Sequence, residues 1–486
     1  MTAPRLVIRT ALAALLALPA AAPAAENRHS DSMSFVKNLP YAMPDKYKQK
    51  VPYGTDVEFA TMKGKRYAFA GSEKNGLQIV DITVPERARV VTAYDCAVSQ
   101  GDTQVFKRGS RTYVTYTNDY EATKVTASSR CYTEAERRFD AIDDEGNARL
   151  GTMIVDVTNP NNPKVASFVA FPRGSHNMTV HPSGDYLYNS NSDLVIDATL
   201  PAIEVVDIRN LSKPTQTASV SLLPLPGLGA DSHDITFNEE GTRAYSAAIS
   251  HGVILDTTDP AKPTVISEFD DEAINVWHQA DPVTIAGRDF LIVEDEVAGA
   301  SGPAACPTGG VHIFDISEEA VPVKVGYWNI DDVEVRDDRH PLDTCTAHVF
   351  DIHEDEQIMT IAYYMGGVRV LDLSGLADLP INVGQGETEI PGAIRQIGHY
   401  VFTDSNSWSA KTPVIEPDGD FYLYSDDINR GLDIFRFDAS RAPSSEAGTF
   451  TSAAASDRQA LGLPTLTRRS AKQQSPRLCL LKRVNR

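Results

Sequence analysis

Four histidines occur at similar places in the sequence, each at the start of a short segment predicted to form a β-strand. They are His176 in SHNMTV, His233 in SHDITF, His278 in WHQADPV and His348 in AHVFDI. Imidazole nitrogens are good ligands for Zn, Cu, Mn, Fe and Ni. If the four segments are equivalent parts of one repeated fold, the histidines converge, and the sequence predicts a divalent transition-metal site, with Zn, Cu or Mn as the candidates.

Other residues extend the candidate ligand set. Asp234 and Gln279 directly follow two of the histidines, and Asp56 and His251 are further candidates near equivalent positions. Ca²⁺ is a second possibility, since carboxylate oxygens are its preferred ligands, although no acidic stretch has EF-hand spacing and most such stretches are expected to be solvated surface. These stretches are 270–272, 294–296, 331–332 and 337–338.

A short pattern repeats seven times and places the histidines in a common frame. Each copy alternates apolar residues and then, in six copies, has an Asp followed by an apolar residue and a turn. The copies are GLQIVDITVP (76–85), GTMIVDVTNP (151–160), IEVVDIRN (203–210), GVILDTTDP (252–260), GVHIFDIS (310–317), GVRVLDLS (367–374) and GLDIFRFD (431–438).

Each copy is flanked by further short β-rich segments in the same order. Two segments separated by a turn precede the copy, and one follows it, so each unit has four antiparallel strands. An isolated blade of this kind cannot bury both faces, and seven of them close into a ring. The sequence predicts an all-β, seven-bladed propeller over 33–452. The segment 33–40 is predicted to complete blade seven, with 448–451 as the alternative.

The segments QIVDIT, MIVDVT and EVVDIR resemble the LVIVD-repeat family of bacterial and archaeal surface proteins. The resemblance covers roughly 50–438, and the seventh copy departs from the pattern because Arg436 replaces the Asp. It implies a propeller and an extracytoplasmic location. The family is defined by its repeat, so the resemblance implies no particular activity.

The first strand of each blade lines the central channel of a propeller. Histidine opens this strand in blades three to six, whereas Asp56, Asp102 and Trp408 occupy the position in blades one, two and seven. The histidines are therefore predicted to meet at one mouth of the channel. Hydrogen bonding to neighbouring carbonyl groups and water is the structural alternative. The metal interpretation is favoured because the other blades do without histidine.

Four of the five cysteines lie in loops predicted on the histidine face. Disulfides form readily outside the cytoplasm, and the positions predict the pairs Cys96–Cys131 and Cys306–Cys345, leaving Cys479 over. Free buried thiols and thiolate ligation of Cu or Zn are the alternatives.

The chain ends and the charge limit the cellular context. Residues 1–25 combine Arg5, Arg9, an apolar run and small residues before a cleavage site, which predicts a secretory signal peptide. No apolar run is long enough to predict a transmembrane helix. The basic tail at 453–486 is predicted to be disordered. A net charge of −21 disfavours nucleic-acid binding and favours cations.

Two functions fit these features. The favoured one is a binding protein that recognises an extracellular protein, glycan or small molecule through the loop-rich histidine face, where the insertions 119–150, 296–309 and 329–345 lie. The alternative is a metal-dependent secreted enzyme of the oxidase or polysaccharide lyase type. Four protein ligands in a closed tetrahedron would favour a structural metal. Three ligands and an open position, with Tyr, Arg or Lys nearby, would favour catalysis.

Overall fold

Seven antiparallel sheets, each with a core of four strands, form a ring in the computed structural model, so the predicted seven-bladed propeller is confirmed. The structure describes residues 27–192, 200–222, 231–296, 307–331, 345–379, 388–389, 393–443 and 449–452. The predicted signal peptide, the tail from residue 453 and Cys306 lie outside these residues. Within the described ranges, no helix has the length and apolar character needed to cross a membrane.

Each blade of the first half runs outward from the channel in chain order. Blade one contains Val57–Met62, Lys65–Ala70, Leu77–Asp81 and Arg89–Tyr94; blade two contains Gln100–Arg108, Arg111–Asn118, Gly151–Asp156 and Lys164–Ala170; blade three contains Asn177–Val180, Tyr186–Ser190, Ile203–Asp207 and Thr215–Val220; blade four contains Asp234–Phe237, Arg243–Ala247, Gly252–Asp256 and Thr264–Phe269.

The other blades follow the same order. Blade five contains Trp277–Ile285, Arg288–Asp295, Val311–Asp315 and Val323–Asn329; blade six contains His348–His353, Ile358–Ala362, Val368–Asp372 and Arg395–Val401; blade seven contains Ser407–Lys411, Phe421–Asp427, Gly431–Phe437 and Met33–Leu39. The α-helices Lys124–Ala127 and Arg130–Phe139 belong to the insertion at 119–150, and short 3₁₀ turns occupy Asp45–Tyr47, Glu73–Asn75, Pro85–Arg87, Ser374–Asp378 and Ala439–Arg441.

The ring closes through the N-terminal strand. Met33–Leu39 pairs with Gly431–Phe437, as predicted for the segment 33–40. The alternative segment forms the strand Thr449–Ser452, which instead adds to the outer edge of blade five and pairs with Thr388–Glu389. Arg28–His29 extends the outer edge of blade six. The first and last segments that the structure describes therefore add strands to three different blades.

The repeated Asp has a local structural role at the end of the third strand. In the first copy, the Oδ1 atom of Asp81 accepts a hydrogen bond from the backbone N–H of Thr83, 3.1 Å away. The same turn recurs at Asp156, Asp207, Asp256, Asp315 and Asp372. Side-chain capping of this kind reverses the chain between strands. The seventh copy, which has Arg436, forms its turn two residues later through Asp438.

The hydrophobic core lies between neighbouring blades. Seven of the buried apolar clusters each join two adjacent blades around the whole ring, including blades seven and one. The first strands of successive blades also contact one another around the channel. A residue that opens one first strand is thereby held beside its counterparts on the neighbouring blades.

Shortening Leu39 tests the closure. Leu39 belongs to the cluster between blades seven and one, so Leu39→Ala should lower the free energy of unfolding by about 2–4 kcal/mol in a denaturant titration. Val321 has 63% of its surface exposed, and Val321→Ala should change stability by less than about 0.5 kcal/mol. If Leu39→Ala and Val321→Ala changed the free energy of unfolding by the same small amount, closure of the ring by the strand Met33–Leu39 would be contradicted.

Candidate metal centre

Backbone hydrogen bonds between blades fix the residues that precede the histidines. Ser192 donates to the carbonyl oxygen of Ser232 at 3.0 Å, and Ile249 and Trp277 exchange two bonds of 3.2 and 2.9 Å. Ser192 and Ile249 adopt left-handed φ angles of 51° and 59°. Such angles are costly for a β-branched residue and tend to occur at functional sites. Ser232 and Trp277 directly precede His233 and His278, so each histidine follows a residue whose backbone is hydrogen-bonded to the neighbouring blade.

A β-bulge further sets the direction of His278. Trp277 pairs with Asp295 and Gln279 pairs with Glu294, so His278 is the extra residue of its strand. Bulges re-aim side chains and are frequent beside active sites. The bulge therefore lies at His278, the candidate ligand itself.

The four predicted histidines form one continuous buried row. The ring centroids of His176 and His233 are 4.5 Å apart, those of His233 and His278 are 3.9 Å apart, and those of His278 and His348 are 4.4 Å apart. No more than 1% of any of these residues is exposed. The shared register of the first strands thus brings together four side chains from blades three to six.

An oxygen atom lies against Nδ1 of every histidine in the row. Nδ1 of His233 donates to the carbonyl oxygen of His278 at 3.0 Å, and Nδ1 of His348 donates to that of Trp408 at 2.5 Å. The Oδ2 atom of Asp119 lies 3.1 Å from Nδ1 of His176.

The fourth oxygen is Oε2 of Glu294, which lies 2.6 Å from Nδ1 of His278. This contact lacks hydrogen-bond geometry, whereas the hydrogen-bonded partners of His176, His233 and His348 are of the kind that fixes the ring orientation of metal-binding histidines. A carbonyl oxygen only accepts, so Nδ1 carries the proton in His233 and His348. Nε2 is then the unprotonated nitrogen of each of these two rings.

Glu296 completes a compact group with two of the histidines. One ligand atom each from His278, Glu296 and His348 lie within 4.8 Å of one another, and all three residues are buried. Oxygens of Glu296 lie 3.6 Å from Nε2 of His278 and 3.8 Å from Nε2 of His348. Among the residues that the structure describes, neither Nε2 atom has a hydrogen-bond partner. The group offers two nitrogens and a carboxylate to a cation.

The acidic stretch at 294–296 is one of the four stretches considered for Ca²⁺, most of which are expected to be solvated, and it is not solvated surface. Glu294, Asp295 and Glu296 are all fully buried, at the end of the second strand of blade five. Burial, followed by the charges of neighbouring carboxylates, raises the pKa of Glu294 well above its usual range. Sequence reasoning did not place these glutamates beside the histidines, because runs of acidic residues are rarely buried without partners.

Burial keeps the imidazoles in their neutral form. It lowers the pKa of His233 and His278 well below the usual value, and the adjacent histidines add to the effect. It also lowers the pKa of His348 to about 3. Only the neutral imidazole binds a metal ion, so these side chains are ready for coordination without first losing a proton.

Two aromatic side chains border the group on the side of blades six and seven. The Tyr364 hydroxyl donates to Oε1 of Glu296 at 2.7 Å, and its ring centroid lies 4.6 Å from that of His348. The ring of Trp408 lies 4.7 Å from His348. Tyr364 also has a left-handed φ of 44°. A proton-bearing group thus touches the one carboxylate of the compact group.

The four additional ligand candidates have other contacts. Asp56 pairs with Lys411 at 2.8 Å, and Gln279 bonds the backbone of Phe350. Nε2 of His251 lies 3.1 Å from Glu268. Burial raises the pKa of Asp234 to about 7. None of them belongs to the compact group of described residues.

A polar cavity of 280 Å³ lies in the channel directly next to the histidine row. Its walls include the residue that follows each histidine, namely Asn177, Asp234, Gln279 and Val349. Six carboxylates and one lysine also line it, at Asp56, Glu58, Asp102, Asp234, Asp281, Asp351 and Lys411. The candidate centre therefore borders an acidic part of the channel.

The predicted Cys96–Cys131 disulfide is present and joins the helix Arg130–Phe139 to the loop before blade two. Cys345 is also disulfide-bonded. Its predicted partner, Cys306, lies outside the described residues.

Comparisons with known proteins identify the repeat and the fold. Residues 62–94 match the LVIVD repeat, which confirms the resemblance seen in the sequence. The periplasmic gluconolactonase of Pseudomonas aeruginosa is similar in structure, with 9% identity over 80% of this chain and 96% of that chain, at a TM-score of 0.51.

A functionally unknown protein from Desulfotomaculum acetoxidans is 12% identical over 66% of this chain and 83% of that chain, at a TM-score of 0.40. No curated protein matches the sequence. At 9% identity, the likeness to the gluconolactonase shows the propeller fold alone.

The depressed pKa of His348 gives a pH-dependence test on metal-free protein. Between about pH 6.5 and about pH 3, the unfolded chain binds a proton at this residue and the folded chain does not. Acidification should therefore destabilise the wild type relative to His348→Gln by about 1.4 kcal/mol per pH unit. Denaturant titrations at several pH values measure the difference. A difference that stays constant with pH would contradict a buried neutral His348, and the exposed His29→Gln variant is the control.

Proposed function

We propose that this chain is an exported metalloenzyme whose buried histidine–glutamate cluster binds one divalent transition metal. The observation that carries the proposal is the compact group of His278, Glu296 and His348, with the Tyr364 hydroxyl bonded to its carboxylate. A centre whose protein ligands leave a coordination position open, next to a proton donor, fits catalysis better than a closed structural site.

The remaining histidines support the same centre. His233 and His176 continue the row from His278, and their Nδ1 atoms bond outward to oxygen atoms. We place the metal at the compact group, with His233 and His176 as further ligands beyond it. Even with all five protein ligands, one position of an octahedral ion stays open for substrate or water.

The donor atoms favour particular metals. Four imidazoles and one carboxylate suit Zn, Cu or Mn, whereas Ca²⁺ prefers sites made of oxygen atoms. A bound transition metal would polarise a substrate or activate water or O₂. Tyr364 and Glu294 are the residues placed to hold a proton next to the metal ligands.

Export is supported by the disulfides and by the predicted signal peptide. Cys96 and Cys131 are fully buried and joined, and Cys345 is also oxidised. Stable disulfides of this type are typical of proteins outside the cytoplasm.

A binding protein for an extracellular protein or glycan is the second candidate. It is supported by the insertion at 119–150, which forms two helices tied to blade two by a disulfide. A metal-free variant distinguishes the two functions, because a recognition surface would keep its ligand after the metal is lost, whereas an enzyme would lose its activity.

Removing two ligands tests the metal site. The mature protein, purified without a histidine tag, should contain about one transition-metal ion per chain by elemental analysis. His278→Ala combined with His348→Ala should weaken metal binding by at least about 100-fold, because two nitrogens of the compact group are lost. His251→Ala is the matched control, since His251 bonds Glu268. Unchanged metal content in the double variant would refute the assignment.

An open coordination position has its own spectroscopic signature. Azide added to the Co²⁺-loaded protein should shift the Co²⁺ absorption bands, because a small anion can enter a vacant position. The shift should be absent in the double variant. A Co²⁺ spectrum that ignores azide at high concentration would indicate a closed shell and would favour a structural metal in a binding protein.

A further inference from the structure

We propose that the Cys96–Cys131 disulfide and a buried hydrogen-bond network around Asn118 position Asp119 on His176, and that this positioning sets the metal affinity of the cluster. The inference rests on the proposed metal site. It assigns a role in that site to the helical insertion of blade two, which contributes no ligand.

The two segments joined by the disulfide are those that hold Asn118. Cys96 lies in the loop that continues to Ser99, and Cys131 directly precedes Tyr132 on the helix Arg130–Phe139. All four of these residues are buried. The disulfide therefore restrains the loop that carries Ser99 relative to the helix that carries Tyr132, the two segments that bond Asn118.

The amide of Asn118 is bonded at both of its ends. The backbone N–H and the hydroxyl of Ser99 both donate to its Oδ1 atom, each at 3.1 Å. Its Nδ2 atom donates to the Tyr132 hydroxyl at 2.6 Å, and that hydroxyl donates to the carbonyl oxygen of Arg149 at 2.9 Å. A fully satisfied buried network of this kind is rigid.

Asn118 connects this network to the histidine row. Its carbonyl oxygen accepts from the backbone N–H of Ser175, the residue before His176, at 3.3 Å. The next residue, Asp119, donates its backbone N–H to the Ser99 hydroxyl at 3.1 Å. The Asp119 carboxylate then lies 3.1 Å from Nδ1 of His176. The network thus holds both the carboxylate and the backbone next to the ring that it orients.

Loss of an outer partner of a metal-binding histidine typically weakens metal affinity by about 10- to 100-fold. A disulfide that only stabilises the fold would change unfolding but leave the affinity of the folded protein unchanged. The two roles are therefore separable by experiment.

A double-mutant cycle with Co²⁺ provides the test. Dissociation constants are measured by chelator competition for the wild type, Cys96→Ser/Cys131→Ser, Asp119→Asn and the combination of all three substitutions. Each of the first two variants should bind Co²⁺ about tenfold more weakly and with altered absorption bands. The combination should lose no more than either alone, because both changes act through the same carboxylate.

Two further variants keep the test decisive if the cysteine variant folds poorly. Tyr132→Phe removes one hydroxyl of the network and leaves the disulfide, and it should also weaken Co²⁺ binding. Val155 lies in the same core cluster as Tyr132 but outside the network. Val155→Ala should lower the stability of the protein and leave its Co²⁺ affinity and absorption spectrum unchanged.

Wild-type affinity in both the cysteine and Tyr132 variants, or losses that multiply to about 100-fold in the combination, would overturn the inference while leaving the metal site in place. A wild-type protein that binds no Co²⁺ would overturn the proposed function as well.

Discussion

The candidate site depends on the closure of seven blades into a ring. Closure makes the first strands neighbours, and the hydrogen bonds between blades then fix the residue in front of His233 and the residue in front of His278. Each histidine of the row comes from a different blade, so the row forms only when the blades are assembled. The N-terminal strand Met33–Leu39 completes blade seven, whose Trp408 accepts the Nδ1 hydrogen bond of His348, and it therefore also supports the site.

Burial then determines the chemistry of the cluster. Water is excluded from the row, so the imidazoles are neutral and the carboxyl group of Glu294 resists ionisation. Hydrogen bonds at Nδ1 fix the ring orientation of His176, His233 and His348. Burying polar groups without hydrogen-bond partners costs free energy of folding. The proposed cation would offset this cost by binding the Nε2 atoms of His278 and His348 together with Glu296.

The fold and the four histidines could be predicted because they follow from a repeat. Seven copies of one pattern define the blades, and the register of the first strands brings His176, His233, His278 and His348 to one mouth of the channel. The Asp of each copy proved to be a turn-forming residue, which explains why Asp438 can replace it in the seventh copy.

The other members of the site could not be predicted in the same way. Asp119, Glu294, Glu296 and Tyr364 lie at or just beyond the ends of second strands, where the repeat pattern has no fixed residue. The carboxylates at 294–296 have the composition of solvated surface, and only the packing of neighbouring blades buries them. Left-handed backbone at Ile249 and Tyr364 is likewise a tertiary feature, since neither residue type favours it.

The most direct measurement is an anomalous difference map recorded at the absorption edge of the bound metal, from crystals of the mature protein. One peak about 2.0–2.3 Å from Nε2 of His278, Nε2 of His348 and an oxygen of Glu296 is the expected result. A channel mouth without a peak, in which these side chains bond only to each other or to water, would contradict the metal centre and with it the proposed enzymatic function.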